Sequence, residues 1–104
     1  MKGYNHVTLV GNLVKDPDSK EIGDTKKTSF ILAVNRNYKK NSDQKEVDFI
    51  PVISWGKLAT ICGEYLAKGK RVLVDGRIQI RNYEKEEQTK WTTEIIADEI
   101  TILA

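Results

Sequence analysis

The sequence predicts an all-β fold, a small barrel of five strands with one helix between the third and fourth strands. Along most of the chain apolar and polar residues alternate, which is the period of a strand with one covered face. A helical period replaces this alternation at residues 56–67. Gly11 and Gly76 both fall on core-facing positions of predicted strands, where glycine allows the sharp bends of a small closed barrel.

The first three predicted strands lie at residues 7–14, 28–38 and 47–55 and lead into the helix. The first strand has apolar residues on both faces, and the other two are rich in the β-branched and aromatic residues that suit a pleated surface. In the following segment the apolar positions recur at helical spacing, namely Leu58, Ile61, Cys62, Tyr65 and Leu66. Gly69 is the expected stop signal after this helix.

Two further strands complete the predicted barrel, one from residue 71 and one at residues 91–103. One face of the fourth strand carries the predicted core positions Val72, Val74, Gly76, Ile78 and Ile80. The other face of that strand is polar and carries three arginines. Charged, loop-like segments at 16–27, 39–46 and 84–88 separate the apolar blocks. Three strands, a helix and two strands follow the order of the OB-fold, a five-stranded Greek-key barrel.

Length and composition limit the possible classes of protein. A chain of 104 residues is predicted to form one domain, residues 1–104. Hydrophobic residues make up 39% and charged residues 31%, which excludes a disordered chain and a membrane span. Residues 6–14 lack a secretory cleavage pattern, so we expect a cytoplasmic protein. The formal net charge of +2 permits a polyanionic partner without requiring one.

No catalytic residue, metal site or cofactor is predicted. Cys62 and His6 are the single cysteine and histidine, which are too few ligands for a structural zinc site. Cys62 also lies on the apolar stripe of the helix, where a thiol packs as a small hydrophobic group. The glutamates of the 84–88 turn have no apolar neighbours that would raise a carboxyl pKa.

Aromatic and basic residues share particular sides of three predicted strands. They are Arg36 and Tyr38 at the end of the second strand, Phe49 and Trp55 on the third, and Arg77, Arg81 and Tyr83 on the fourth. Bases stack on flat rings and phosphates need interleaved cations, so this pattern predicts a platform for single strands. Phe49 and Trp55 also suit core positions, because Val47 and Ile53 share their side, and for Phe49 the two interpretations fit equally well. Trp91 suits packing as well as stacking.

Several ordered motifs resemble bacterial single-stranded DNA-binding proteins over essentially the whole chain. They are NHVTLVGNL at 5–13 followed by DP at 16–17, WGKLA at 55–59, EYLAKG at 64–69, VDGR at 74–77, RNY at 81–83 and TTE at 92–94. The resemblance implies that rings matching Tyr38, Phe49, Trp55 and Tyr83 stack on bases. It also implies that Lys57, Lys68 and Arg81 contact the DNA backbone, and that the protein is a homotetramer.

The chain departs from that family in two respects. Tyr38 and Tyr83 stand where the family often has tryptophan, which keeps stacking but changes its strength. Members usually carry a flexible linker and an acidic tip that recruits partner proteins, whereas this chain stops at Ala104. We therefore expect that this form does not recruit tail-dependent replication and repair proteins.

The expected function is to bind and protect single-stranded DNA during replication, recombination and repair, with little sequence preference. The expected partners are single-stranded DNA and further copies of the chain, as a tetramer or a dimer, and no membrane. One alternative is a dimeric primosomal replication protein of the same fold. Another is a small nuclease or hydrolase on the same barrel, which would need a cluster of metal-binding carboxylates.

Overall fold

The computed structural model describes residues 1–36 and 46–104, and within those ranges the chain forms six strands and one helix. The elements are β1 Val7–Leu13, β2 Asp18–Ile22, β3 Thr25–Asn35, β4 Val47–Trp55, α1 Gly56–Tyr65, β5 Arg71–Lys85 and β6 Gln88–Ile102. The bounds of β4 agree with the predicted third strand. The helix ends two residues before its predicted end, because Leu66 already has extended backbone angles.

The strands form one sheet that closes into a ring. The order is β1-β5-β6-β4-β3-β2, and an additional antiparallel pairing joins β1 to β3. That pairing closes the ring through Asn12↔Ala33 and Leu13↔Leu32. On the opposite side β4 and β6 run parallel. The predicted all-β class and the five-stranded OB-fold barrel are confirmed, with the helix between the strands predicted as third and fourth, which are β4 and β5.

The strand β2 was not predicted. It lies inside the segment 16–27 that the sequence indicates as a loop, and it pairs with β3 from Asp18↔Ser29 to Ile22↔Thr25. All five of its residues are exposed, so no alternation of apolar residues marks it in the sequence. Gly23, with a φ of 60°, supplies the left-handed backbone of the turn between β2 and β3.

The hydrophobic core lies inside the ring and beneath α1. Its main buried residues are Leu13, Phe30, Leu32, Val52, Val72, Val74 and Ile95, together with Cys62 and Leu66. The burial of Cys62 confirms its predicted packing role, and the same burial raises the pKa of its thiol. In the described ranges no helix is long and apolar enough to cross a membrane.

Two glycines allow strands to approach closely inside the barrel, as the sequence predicts. A side chain at Gly11 would collide with the carbonyl oxygen of Ala33, and one at Gly76 would collide with that of Ile96. The pairing of β5 and β6 also shifts register between Asp75 and Gly76, which marks a β-bulge. Both positions therefore need glycine because of neighbouring backbone.

The predicted burial of Ile78 and Ile80 was wrong, since both side chains are exposed. The predicted core positions Val72, Val74 and Gly76 are buried. The reason is that the β5–β6 hairpin extends past the barrel, because β1 pairs with β5 only as far as Gly76 and β6 pairs with β4 only at Ile95 and Ile96. Beyond these pairings no other strand of the described chain lies beside the hairpin, so alternation continues in the sequence without a core to face.

Candidate nucleic-acid interface

The outer face of the ring carries the aromatic residues that were predicted to bind. On β4, Phe49 is paired with Ala33 and Trp55 with Lys27 across the β3–β4 ladder. Phe49 is 64% exposed and Trp55 is 40% exposed. The core interpretation of these two residues is therefore wrong. Both rings point away from the buried even-numbered residue Val52 and reach solvent on the same face of the sheet.

A lysine that the sequence analysis missed lies beside Trp55. The Lys27 ammonium is 5.7 Å from the centre of the Trp55 ring, within range of a cation–π contact. The two residues meet because they are directly paired across β3 and β4. Residue 27 falls in a segment that the sequence indicates as a loop, so only the strand register could have identified it. The arrangement puts a positive charge next to a ring that bases could stack on.

A shallow groove of about 290 Å³ crosses this outer face. Its lining residues are Lys15, Asp16, Asp18, Lys27, Ser29, Phe30, Ile31, Pro51, Ile53 and Glu94. The apolar side chains of Pro51 and Ile53 belong to the same side of β4 as Phe49 and Trp55. Glu94 adds one carboxylate from β6. The groove therefore combines an apolar surface with charged groups on an open face.

Arg81 and Tyr83 extend this face onto the hairpin. The Arg81 Nε lies 2.7 Å from Glu94 Oε1. Its Nη2 donates a second hydrogen bond of 3.3 Å to Oε2. Tyr83 follows on the same side of β5, paired with Lys90 of β6, and its ring is exposed, as the sequence predicts. This half of the face thus offers one ring, one lysine and a guanidinium held by a carboxylate.

The other two predicted arginines are also paired with carboxylates. Arg36 lies 2.9 Å from Asp48 and 2.7 Å from Glu46. The hydrogen bond from Arg36 lowers the pKa of Asp48, and the Asp48 and Glu46 carboxylates raise the pKa of Arg36. Arg77 lies 3.7 Å from Asp98. Sequence reasoning missed all these pairs, because each one depends on strand register.

Lys57 and Lys68 differ from the arginines. Within residues 1–36 and 46–104, neither lies in an ion pair. Lys57 is in the first turn of α1, two residues after Trp55. Lys68 is exposed in the connection to β5, where its backbone N–H donates to the Asp16 carboxylate at 2.9 Å. Asp16 lines the groove, so the backbone of Lys68 contacts a residue of the groove wall.

The predicted stacking residue Tyr38 is outside the described residues. Trp91 is paired with Asn82, the neighbour of Tyr83, so the two rings project from opposite faces of the hairpin. Trp91 is 67% exposed and lies on the side of Ile80, which rules out core packing within this chain. Among the residues that the structure describes, no cluster of three or more histidine, cysteine or acidic side chains could hold a metal ion.

A closed barrel of five strands with aromatic side chains and cations on its outer face defines an OB-fold binding protein. In this class the outer sheet face and the adjoining loops bind oligonucleotides or oligosaccharides. The chain belongs to the single-strand binding protein family, whose family model matches residues 4–103.

Curated relatives support the same assignment. The chain is 44% identical over 101 residues to a single-stranded DNA-binding protein of Caldanaerobacter subterraneus subsp. tengcongensis, covering 95% of this chain and 67% of the relative. It is 44% identical over 102 residues to that of Clostridium tetani, covering 95% and 70%. Against single-stranded DNA-binding protein 3 of Clostridium acetobutylicum the identity is 45%, with the same coverage of 95% and 70%.

Proposed function

We propose that this protein binds and protects single-stranded DNA with little sequence preference during replication, recombination and repair. Membership of the single-strand binding protein family and relatives named for this activity support the proposal. The observation that carries it is the exposure of Phe49, Trp55 and Tyr83 on the same outer face as the cations. The protein acts by binding and not as an enzyme, in the cytoplasm, where it meets bacterial DNA.

Base stacking supplies much of the proposed affinity. Every base has a flat π-face, so a ring platform binds single strands without reading their sequence. Phe49, Trp55 and Tyr83, together with Tyr38, are the proposed stacking residues. Because the Lys27 ammonium lies near one face of Trp55, a base would occupy the other face or displace the ammonium towards a phosphate. Stacking and charge are thus supplied by adjacent side chains.

Phosphate contacts supply the rest of the proposed affinity for single-stranded DNA. Arg36, Lys57, Lys68 and Arg77 are the proposed phosphate contacts, and Arg81 lies among the rings as a further DNA contact. Each phosphate that a cation neutralises releases about 0.7 counterion from a single strand. We expect binding to weaken with salt, and Lys57 and Lys68 to contribute most to that dependence, because no carboxylate of the described chain pairs with them.

We further propose that the protein assembles as a homotetramer built from dimers. β1 pairs with β5 from Val7↔Gly76 to Asn12↔Arg71, but with β3 only at Asn12 and Leu13. Within the described chain, the second edge of β1 therefore has no strand beside it before residue 12. A second copy could extend the sheet there, covering partly exposed Val10. Measuring the mass in solution distinguishes monomer, dimer and tetramer.

A titration of a labelled thymine homopolymer tests the DNA-binding proposal. We expect Trp55→Ala and Phe49→Ala each to weaken binding about 5- to 150-fold, which corresponds to roughly 1–3 kcal/mol for one stacked base. Trp91→Ala is the matched control, because it removes an equally large exposed ring from the opposite face of the hairpin. Equal losses in Trp91→Ala and Trp55→Ala would show that the platform is misplaced.

Intrinsic fluorescence provides an independent measurement. The chain has two tryptophans, so Trp91→Phe leaves Trp55 as the single one. We expect single strands to quench its emission, because a stacked base offers a non-radiative path.

Incubation of the strand with protein and magnesium should return the strand intact. Shortened products would instead support the nuclease alternative.

A further inference from the structure

The Arg81–Glu94 pair differs from every other ion pair in the described parts of the chain. The Glu94 side chain is only 5% exposed, whereas the acidic partners in the other pairs are between 31% and 65% exposed. Both Glu94 oxygens accept from the same guanidinium, Oε1 from Nε and Oε2 from Nη2. Arg81 itself is 56% exposed. A buried anion thus holds a guanidinium that faces solvent.

Glu94 cannot leave this pair easily. It lies in the central region of the outer face, where β6 runs between β5 and β4. Pro51 and Ile53 line the same groove as Glu94, whose side chain is 5% exposed. A buried carboxylate that loses its cation is strongly unfavourable. The pair uses Nε and Nη2, so a DNA phosphate that reached the remaining N–H groups of Arg81 would meet a guanidinium whose charge the buried Glu94 already balances. The exposed Asp98, in contrast, could turn away from Arg77 and leave its charge to a phosphate.

The guanidinium is therefore fixed in position and its charge is compensated. A guanidinium is planar and stacks well on aromatic systems, which a lysine ammonium does not. Tyr83 lies two residues further along the same side of β5, so two flat groups follow one another on the outer face.

We propose that Glu94 is a positioning residue that makes Arg81 a fixed, charge-compensated stacking surface for a base, and not a contact for phosphate. This inference rests on the proposed binding of single-stranded DNA. It gives Arg81 a role that differs from that of Lys57, although both residues are basic and both are proposed DNA contacts. The difference is measurable, because a phosphate contact changes the salt dependence of binding and a neutral stacking contact does not.

The test measures binding of a thymine homopolymer at several salt concentrations for the parent and three variants. Arg81→Ala with Glu94→Gln removes both charges and keeps the local net charge unchanged. Glu94→Gln alone releases the arginine from charge compensation. Lys57→Gln is the matched control for a true phosphate contact. Circular dichroism and thermal unfolding show which variants are folded, and the double variant carries the test if Glu94→Gln does not fold.

The expected change in the salt slope of binding differs between the three variants. The double variant should bind about 5- to 150-fold more weakly at every salt concentration, with the salt slope of the parent. Glu94→Gln should steepen the slope by about 0.7, and Lys57→Gln should flatten it by about 0.7. A flatter slope in the double variant, unchanged affinity in it, or an unchanged slope in Glu94→Gln would overturn the inference. Failure of the parent to bind would instead refute the proposed function.

Discussion

Replacing Gly76 with alanine should destabilise the barrel through a backbone collision. The added Cβ would overlap the carbonyl oxygen of Ile96, and would lie 3.0 Å from the carbonyl carbon and 3.1 Å from the Ala97 Cα. All three atoms belong to the backbone of the neighbouring strand β6. No side-chain rotation relieves the overlap, so the two strands must move apart where their register shifts between Asp75 and Gly76.

The size of the effect follows from these contacts. Overpacking a well-filled interior costs about 1–3 kcal/mol, and a collision with backbone on a paired strand belongs at the upper end. A chain of this length is stable by about 5–15 kcal/mol. A loss of about 3 kcal/mol would lower the unfolding temperature by roughly 12–24 °C, at about 4–8 °C per kcal/mol.

Urea unfolding followed by circular dichroism measures this loss. Gly3→Ala is the matched control, since Gly3 has a negative φ and no atom within 4 Å of the position of an added Cβ. We expect Gly3→Ala to unfold at the urea concentration of the parent and Gly76→Ala at a clearly lower one. If the two variants share one midpoint, the close approach of β5 and β6 does not require glycine, and the reasoning fails.

Three further predictions concern the thiol, an ion pair and the hairpin turn. Because burial raises its pKa, the Cys62 thiol should resist alkylation at pH 8 in the folded protein and react in urea, as mass spectrometry would show. Arg36 lowers the pKa of Asp48, so this pair should stabilise the fold at pH values above the unfolded-state pKa of the carboxyl. The stabilisation should be lost as pH falls through the lowered pKa of the folded state. In Asp48→Asn this pH-dependent loss should be absent from the free energy of unfolding measured against pH. Glu86 and Glu87 have φ values of 53° and 64°, so replacing them with Asn-Gly should stabilise the hairpin tip by about 1 kcal/mol, measured as slower amide exchange there.

The sequence predicts strands well where one face meets the core. Val47–Trp55 has the bounds predicted from its β-branched and aromatic residues, and Val52, Ile53 and Ser54 of this strand are buried. Ile78 and Ile80 continue the alternation of Val72 and Val74 but have no covering layer, since burial there depends on how far the hairpin extends past the barrel. Sequence periodicity reports which residues share a face, and it cannot report whether anything packs against that face.

On the binding face, too, some features could be predicted from the sequence and others could not. The exposure of Tyr83 follows from its polar neighbours Asn82 and Glu84 and agrees with the prediction. The exposure of Trp55 did not follow from the sequence, because Ile53 shares its side of the strand. The partners of the arginines do not follow from local sequence, because Arg81 meets Glu94 only when β5 and β6 are paired in one particular register. Lys27 was missed for the same reason. Charges that look available in the sequence are partly compensated in the folded chain.

The pairing of β1 with β5 has a consequence for how the chain reaches this structure. Val7 pairs with Gly76, so the two strands are separated by more than half of the chain. During synthesis, β2, β3 and β4 can pair with their neighbours before Arg71 has left the ribosome, whereas the β5-facing edge of β1 must wait. Closing so long a loop is slow, and barrels dominated by such distant pairings fold in milliseconds to seconds. Until β5 arrives, an apolar strand with an open edge is exposed to other nascent chains, so this late stage of folding is open to misassembly.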